Sequence, residues 1–282
     1  MYSIMIRYTS GARTVKEAFH WQLRAPPPRL LTRDRMSVKR SHSAARVLTL
    51  LETLADHQPI GVRALARLLD DDKSAIHRAL MTLADNGWIR TTSESPVRWE
   101  VTARILAVAH AAHGGNDLRK RARPALERLR DATNETVLLV LPDVHNFVVA
   151  DVIESRQILR VVLQVGSAVS AKKTATGRAL LPFLDRARQV ELLGSEPDRQ
   201  LLDSFAQTRA RGYAVSEGEV NPATTNLAAP IFDFHEQPMG AVVVSGPRER
   251  LTRSVNKTIA EKLVRTAREL SRSSATLGHG RP

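Results

Sequence analysis

The chain has no cysteine in its 282 residues. That excludes a disulfide scaffold, an iron–sulfur cluster, a thiol nucleophile and any cysteine-based zinc site. Aromatic residues make up only 4%, too few for a surface that stacks successive single-stranded bases. No apolar run approaches the ~18 residues that a membrane-spanning helix needs. The sequence contains no Gly-x-Ser-x-Gly, Gly-x-x-x-x-Gly-Lys-Ser/Thr, Gly-x-Gly-x-x-Gly or His-Glu-x-x-His motif. The hydrolase elbow, the phosphate loop, the dinucleotide fingerprint and the zincin helix are therefore missing. An enzyme would need a catalytic set dispersed along the chain, and its mark would be turnover of a metabolite that a binding protein returns unchanged. What is present is an ordinary globular composition, 43% hydrophobic and 25% charged, at a length that suits two domains of ~150 residues.

Charge is the composition's one departure, at +13 formally. Such a balance suggests an anionic partner such as nucleic acid, but it says nothing about fold. Residues 1–40 carry nine Lys/Arg against two acids, and residues 41–103 carry seven against eight. Residues 104–131 carry seven against three, and the remainder nineteen against sixteen. More than half of the basic excess therefore lies in the first 40 residues, so the overall charge by itself is a poor reason to expect a DNA-binding domain. That segment has three consecutive prolines, Pro26 to Pro28, and no sustained apolar period. It reads as a disordered basic tail. An Arg-rich, acid-poor start also resembles a targeting peptide. Met36, just before the first periodic segment, has the look of a natural start, which would make residues 1–35 an upstream extension or a dispensable arm.

Residues 41–103 read as three helices and a hairpin. Ala44, Val47, Leu48, Leu51 and Leu54 form a helical stripe. Pro59 and Gly61 interrupt it, and Val62, Leu65, Leu68 and Leu69 make a second, short helix. Asp70, Asp71 and Asp72 follow, any of which can cap the next helix and suit its positive end. The third helix is expected over Lys73–Asp85. At ~100° per residue, Ile76, Leu80 and Leu83 fall on one side and Ser74, His77, Arg78 and Met81 on the other. Trp88–Arg90, a turn at Ser93–Pro96 and Val97–Val101 make a two-stranded wing. This is the order of a winged helix-turn-helix whose last helix enters the major groove. Arg78 could then offer paired donors to a guanine, Ser74 and His77 could reach bases or phosphates, and Lys73 a phosphate. Arg46 is a further candidate, and Arg90 and Arg98 on the wing would hold the backbone or the minor groove. Periodicity alone is equally consistent with the solvated face of a small helical domain, and three aspartates beside that face would repel phosphates.

Residues 104–131 read as linker helices. His110 and His113 stand three apart, but no acidic partner lies nearby in sequence, and no metal site or cofactor is assigned. Pro124 is expected to kink the basic helix it occupies or to start a new turn there. From 132 to 275 the pattern is mixed. β-rich runs are expected at Thr136–Leu141, Phe147–Val152, Ile158–Val165, Tyr213–Ser216, Leu227–Phe234 and Met239–Ser245. Helices are expected at Thr176–Leu184, Arg186–Leu193, Arg199–Arg211 and Arg253–Ser273. The fold class is thus α plus α/β, with helices packed on a mainly antiparallel sheet, and residues 276–282 read as a disordered tail.

The run Ser43–Leu48, then Leu65–Ala66–Arg67, Lys73–Ser74–Ala75–Ile76–His77–Arg78–Ala79–Leu80 and Asn86–Gly87–Trp88–Ile89 resembles the DNA-binding domain of IclR-type bacterial transcriptional regulators. The family's turn usually has a Gly-Leu-Pro character where this chain has Asp70–Asp72. Glu135–Leu138, Ala175–Leu181, Arg211–Ala214, Ala228–Asp233 and Val244–Pro247 resemble the family's effector-binding domain. Together the resemblance covers about residues 41–273. It implies a GAF-like module that binds a small catabolic carboxylate beside its sheet, and a cytoplasmic dimer or tetramer whose paired helices read a double-stranded operator. Carried onto this chain, the effector site would include Thr176, Gly177, Ser216, Asn226, Val243 and Ser245. Val243 is apolar where glyoxylate-type members are more polar, and Ala223 stands where the family more often has glycine. Both imply a larger or more apolar acid, such as an aromatic or sugar-derived one. The competing non-enzymatic expectation is a chromosome-associated protein that binds all duplexes alike and weakens steeply with salt.

Overall fold

The computed structural model describes residues 41–93, 95–112 and 118–278. The chain divides into two compact units between Asp117 and Leu118. The expected basic tail, residues 1–40, lies outside the described residues.

In the first unit, α1 (His42–His57), α2 (Val62–Leu69) and α3 (Lys73–Asp85) are followed by β1 (Ile89–Thr91) and β2 (Trp99–Val101), which pair antiparallel, and by α4 (Arg104–Ala112). The helical stripes meet in part: Leu48 and Leu68, expected in them, are exposed, whereas Leu50, outside the expected stripe, is fully buried. Leu50 and Leu54 of α1, Leu65 of α2 and Ile76, Leu80 and Leu83 of α3 close one core with Ile89 and Trp99 of the wing. The three aspartates between α2 and α3 act separately. Asp70 ends α2 in the left-handed region (φ 48°), with its N–H on the Ala66 carbonyl. The Asp72 carboxylate caps α3 by accepting from the Ala75 N–H at 2.9 Å. Asp71 accepts from Arg46 Nε at 2.5 Å, and that bond holds its carboxyl below the usual carboxylate range.

The second unit is a six-stranded sheet with helices on both faces. Its strands are β3 (Thr136–Pro142), β4 (Phe147–Ile153), β5 (Ala168–Val169), β6 (Ala214–Glu217), β7 (Thr224–Phe232) and β8 (Pro238–Pro247), in the order β5-β4-β3-β8-β7-β6. Every pairing is antiparallel. On one face α5 (Leu118–Thr133) and α9 (Arg253–Gly278) bury Leu126, Leu129, Leu263 and Leu270 against Val137, Leu139, Leu227 and Val244. On the other, α6 (Ala175–Leu180), a 3₁₀ turn (Leu181–Phe183), α7 (Arg186–Leu193) and α8 (Arg199–Arg211) cover Leu138, Val140, Ala228 and Val243. Successive strand residues alternate between these faces, which fixes the register wherever both are buried.

Four expectations change. Residues 158–165 form no strand. Two of their carbonyls are engaged by side chains instead, Leu159 by Arg250 Nη2 at 2.9 Å and Val161 by Thr136 Oγ1 at 2.7 Å. The helix expected at Thr176–Leu184 is α6 followed by the 3₁₀ turn. Helix α5, expected among the linker helices, runs through Pro124 and packs into the second unit's core, with Ala122, Ala125 and Leu126 buried. The tail expected from residue 276 is still helical as far as Gly278.

Candidate functional sites

Helix α3 separates its residues by face. Ala75, Ile76, Ala79, Leu80 and Leu83 are buried, while Lys73, Ser74, His77, Arg78 and Met81 are exposed. Among the described residues, the side chains of Lys73, Ser74, His77 and Arg78 enter no hydrogen bond or ion pair. Within one exposed strip they offer a guanidinium, an ammonium, a hydroxyl and an imidazole. A guanidinium fork matches the O6/N7 edge of guanine, and an ammonium near the start of the helix suits a phosphate. Positive charge on a helix N-terminus is otherwise unfavourable, so the Lys73 ammonium gains nothing from the dipole of the helix that holds it.

The other three basic candidates are engaged within the unit. Arg46 is held by Asp71. Arg90 stands opposite Glu100 in the wing and pairs with it at 2.6 Å. Arg98 Nη1 donates to the Pro59 carbonyl at 3.4 Å. The strip on α3 is thus brought together by one helix, whereas these arginines are distributed over α1 and the wing. The repulsion expected from the aspartates is reduced at Asp71, whose charge faces Arg46.

The second site lies on the sheet. Ser216, Asn226 and Ser245 are register partners on β6, β7 and β8, and Thr136 on β3 is the partner of Ser245. Four polar side chains therefore form a row across four strands, on the face covered by α6. Register also places Val243 beside Ala228, one step along the strands in the apolar cluster. The row is largely satisfied internally. Ser245 Oγ donates to Asn226 Oδ1 at 2.6 Å, and Ser216 Oγ donates to the Lys173 carbonyl at 3.1 Å. Thr136 Oγ1 accepts from the Ser155 N–H at 3.2 Å while donating to Val161. Sequence reading missed Thr136, because only the pairing of β3 with β8 places it in the row.

Thr176 is buried at the start of α6, and the Gly177 N–H donates to Thr174 Oγ1 at 3.0 Å. The backbone donor that Gly177 could offer a ligand is therefore engaged by the helix cap. Gly177 matters in a different way. A Cβ there would collide with the Ala171 carbonyl, so glycine allows α6 to lie against that loop. Ala223 is exposed in the turn before β7 and does not join the row. His113 lies outside the described residues, so the His110/His113 spacing is not placed. Among the described residues no group of three metal-ligating side chains converges, and no helix is long and apolar enough to cross a membrane.

The family model described as bacterial transcriptional regulator IclR C-terminal matches residues 110–272, and a model described as HVO_A0114 matches residues 44–102. The chain is 29% identical over 237 residues to the HTH-type transcriptional regulator BhcR of Paracoccus denitrificans, covering 80% of this chain and 85% of that one. It is 26% identical over 243 residues to the transcriptional repressor IclR of Escherichia coli, covering 81% and 88%. The crystal structure of the Thermotoga maritima IclR superposes with a TM-score of 0.66 at 22% identity, over 83% of this chain and 98% of that one.

Proposed function

Because the chain belongs to the family of IclR-type bacterial transcriptional regulators, we propose that it reads a specific duplex operator through α3 and that a small-molecule ligand controls this binding. The observation that carries the reading is the strip of Lys73, Ser74, His77 and Arg78. It is exposed and unengaged among the described residues, and it is backed by a fully buried opposite face. A solvated face needs no such set of donors, whereas base edges and phosphates do. Two copies would present two α3 helices to half-sites about one helical turn apart. Arg90 and Arg98 on the wing, and Arg46 by exchanging its Asp71 partner, would add backbone contacts.

The ligand in this reading is a carboxylate held beside the sheet by Ser216, Asn226, Ser245 and Thr176 at the start of α6, with Gly177 only letting that helix lie close. Val243 and Ala228 would supply an apolar wall, which favours an acid with an apolar body. The ligand shifts operator affinity by its differential binding to two states, typically ~1–3 kcal/mol, and the operator shifts ligand affinity equally.

Selection of duplexes from a random pool by the full chain tests the proposal. The expected result is enrichment of one site with related half-sites, whose affinity falls when the purified protein is titrated with the acid that raises its melting temperature. A pool that stays unenriched, with binding that depends only on salt, would identify the general chromosome binder instead.

A further inference from the structure

Helix α9 carries on its outer side a feature that neither the DNA strip nor the polar row uses. A groove of about 500 Å³ lies between this helix and the chain that leads from α8 into β6. That volume falls within the range of small-molecule sites, ~300–1,000 Å³. Ala260, Val264 and Tyr213 give it apolar surface, and five cations, Arg211, Lys257, Arg265, Arg268 and Arg272, line it against one acid, Glu261. Residues 257, 261, 265, 268 and 272 follow the three- and four-residue spacing of one helix face, so the stripe runs about 22 Å.

Arg265, Arg268 and Arg272 stand three and four apart and repel one another, while Glu261, four residues from both Lys257 and Arg265, offsets repulsion only in the first half of the stripe. Elsewhere the same helix engages its charges. Lys262 Nζ donates to the Ala132 carbonyl at 2.8 Å, and Glu269 pairs with Arg128 at 2.6 Å. In the groove, Lys257, Arg265 and Arg268 make no hydrogen bond or ion pair among the described residues, and all three are exposed. Arg211 is fixed in place: its Nε donates to the Tyr213 carbonyl at 2.7 Å, and its guanidinium lies 4.5 Å from the centre of the Tyr213 ring. A planar cation on an aromatic wall thus faces the exposed cations of α9. Guanidinium groups pair bidentately with phosphate and carboxylate, but a monocarboxylate would engage only one or two of the five cations. Condensed phosphate carries several negative charges in a volume this groove can hold.

We propose that this groove is a second ligand site, on the face of the sheet opposite the polar row, for an anion bearing two or more phosphoryl groups. Such chemistry could come from a free di- or triphosphate or from a nucleic-acid backbone, and the groove's small volume and apolar floor favour the free ligand. Isothermal titration of the full chain with inorganic tripolyphosphate, and separately with a random-sequence duplex, tests it. Tripolyphosphate is expected to bind once per chain. The R265Q/R268Q double variant should weaken it about ten-fold or more, K257Q by less, and Arg78→Ala should leave it unchanged. Sulfate at matched ionic strength should not reproduce the binding. Absence of binding, binding indifferent to R265Q/R268Q, or binding lost in Arg78→Ala would each overturn the site. Duplex affinity that falls in R265Q/R268Q, with no tripolyphosphate binding, would assign the stripe to a nucleic-acid backbone and overturn the free ligand.

Discussion

The outer face of α3 and the polar row of the sheet use similar residue types in opposite states. On α3, Lys73, Ser74, His77 and Arg78 are exposed and have no partner among the described residues. In the row, Ser216, Ser245 and Thr136 are buried and bonded to neighbours within the unit. A ligand for the first surface displaces only water. A ligand for the second must replace internal hydrogen bonds, so its binding is coupled to rearrangement of the elements that hold them. The first arrangement suits a surface that must meet DNA without delay, and the second suits a control site, where the contacts exchanged are the means of shifting between two states.

Substitutions sharpen this contrast by acting on one region and sparing the other. The largest effect is expected at the anchor of residues 155–161, the segment that closes the row at its Thr136 end. Arg250 pairs with Glu135 at 2.6 and 2.8 Å and also donates to the Leu159 carbonyl. Arg250→Met would leave the buried Glu135 carboxylate uncompensated, and urea unfolding should show a loss of about 3–5 kcal/mol. Gly177→Ala comes next, since its methyl would force α6 away from Ala171. A loss of about 2–3 kcal/mol is expected, with altered ligand response. Ser245→Ala removes one bond and strands Asn226 Oδ1, which should cost about 1–2 kcal/mol while operator affinity without ligand stays the same.

The smallest effect is on the α3 side. Asp71 titrates below its ordinary value of 3.8 because Arg46 donates to it. The stability this adds is therefore present above the unfolded-state value and is lost as pH falls through the lower, folded-state one. Asp71→Asn should flatten that acid-side slope in a pH series of melting temperatures and shift the neutral-pH value only slightly, since both side chains of the pair remain partly open to solvent. An unchanged slope would show that Arg46 is free for other partners.

How legible each region was follows the same contrast. Helix α3 was readable end to end, because its 3.6-residue period and its Asp72 cap are local signals. The roles of Asp70 and Asp71 were not, since a left-handed end to α2 and a bond to Arg46, 25 residues away, leave no trace in a local pattern. The row is non-local altogether. Ser216, Asn226 and Ser245 came from family resemblance, and Thr136 needed the β3–β8 register. The run Ile158–Val165 has strand composition without a strand neighbour, and composition cannot reveal that Thr136 and Arg250 occupy its carbonyls. Residues Ala168–Val169 are too few to show a period, so β5 went unread.

The central claim is that α3 presents a strip ready to read DNA, and one measurement bears on it most directly. Fluorescence anisotropy of a selected duplex and of its scrambled counterpart, at one fixed salt concentration, would compare the natural chain with Arg78→Ala. The account predicts that the variant loses about 1–3 kcal/mol on the selected duplex, keeps its weak affinity for the scrambled one, and melts within about 0.5 kcal/mol of the natural chain's stability. An Arg78→Ala chain that binds the selected duplex with undiminished affinity would contradict it.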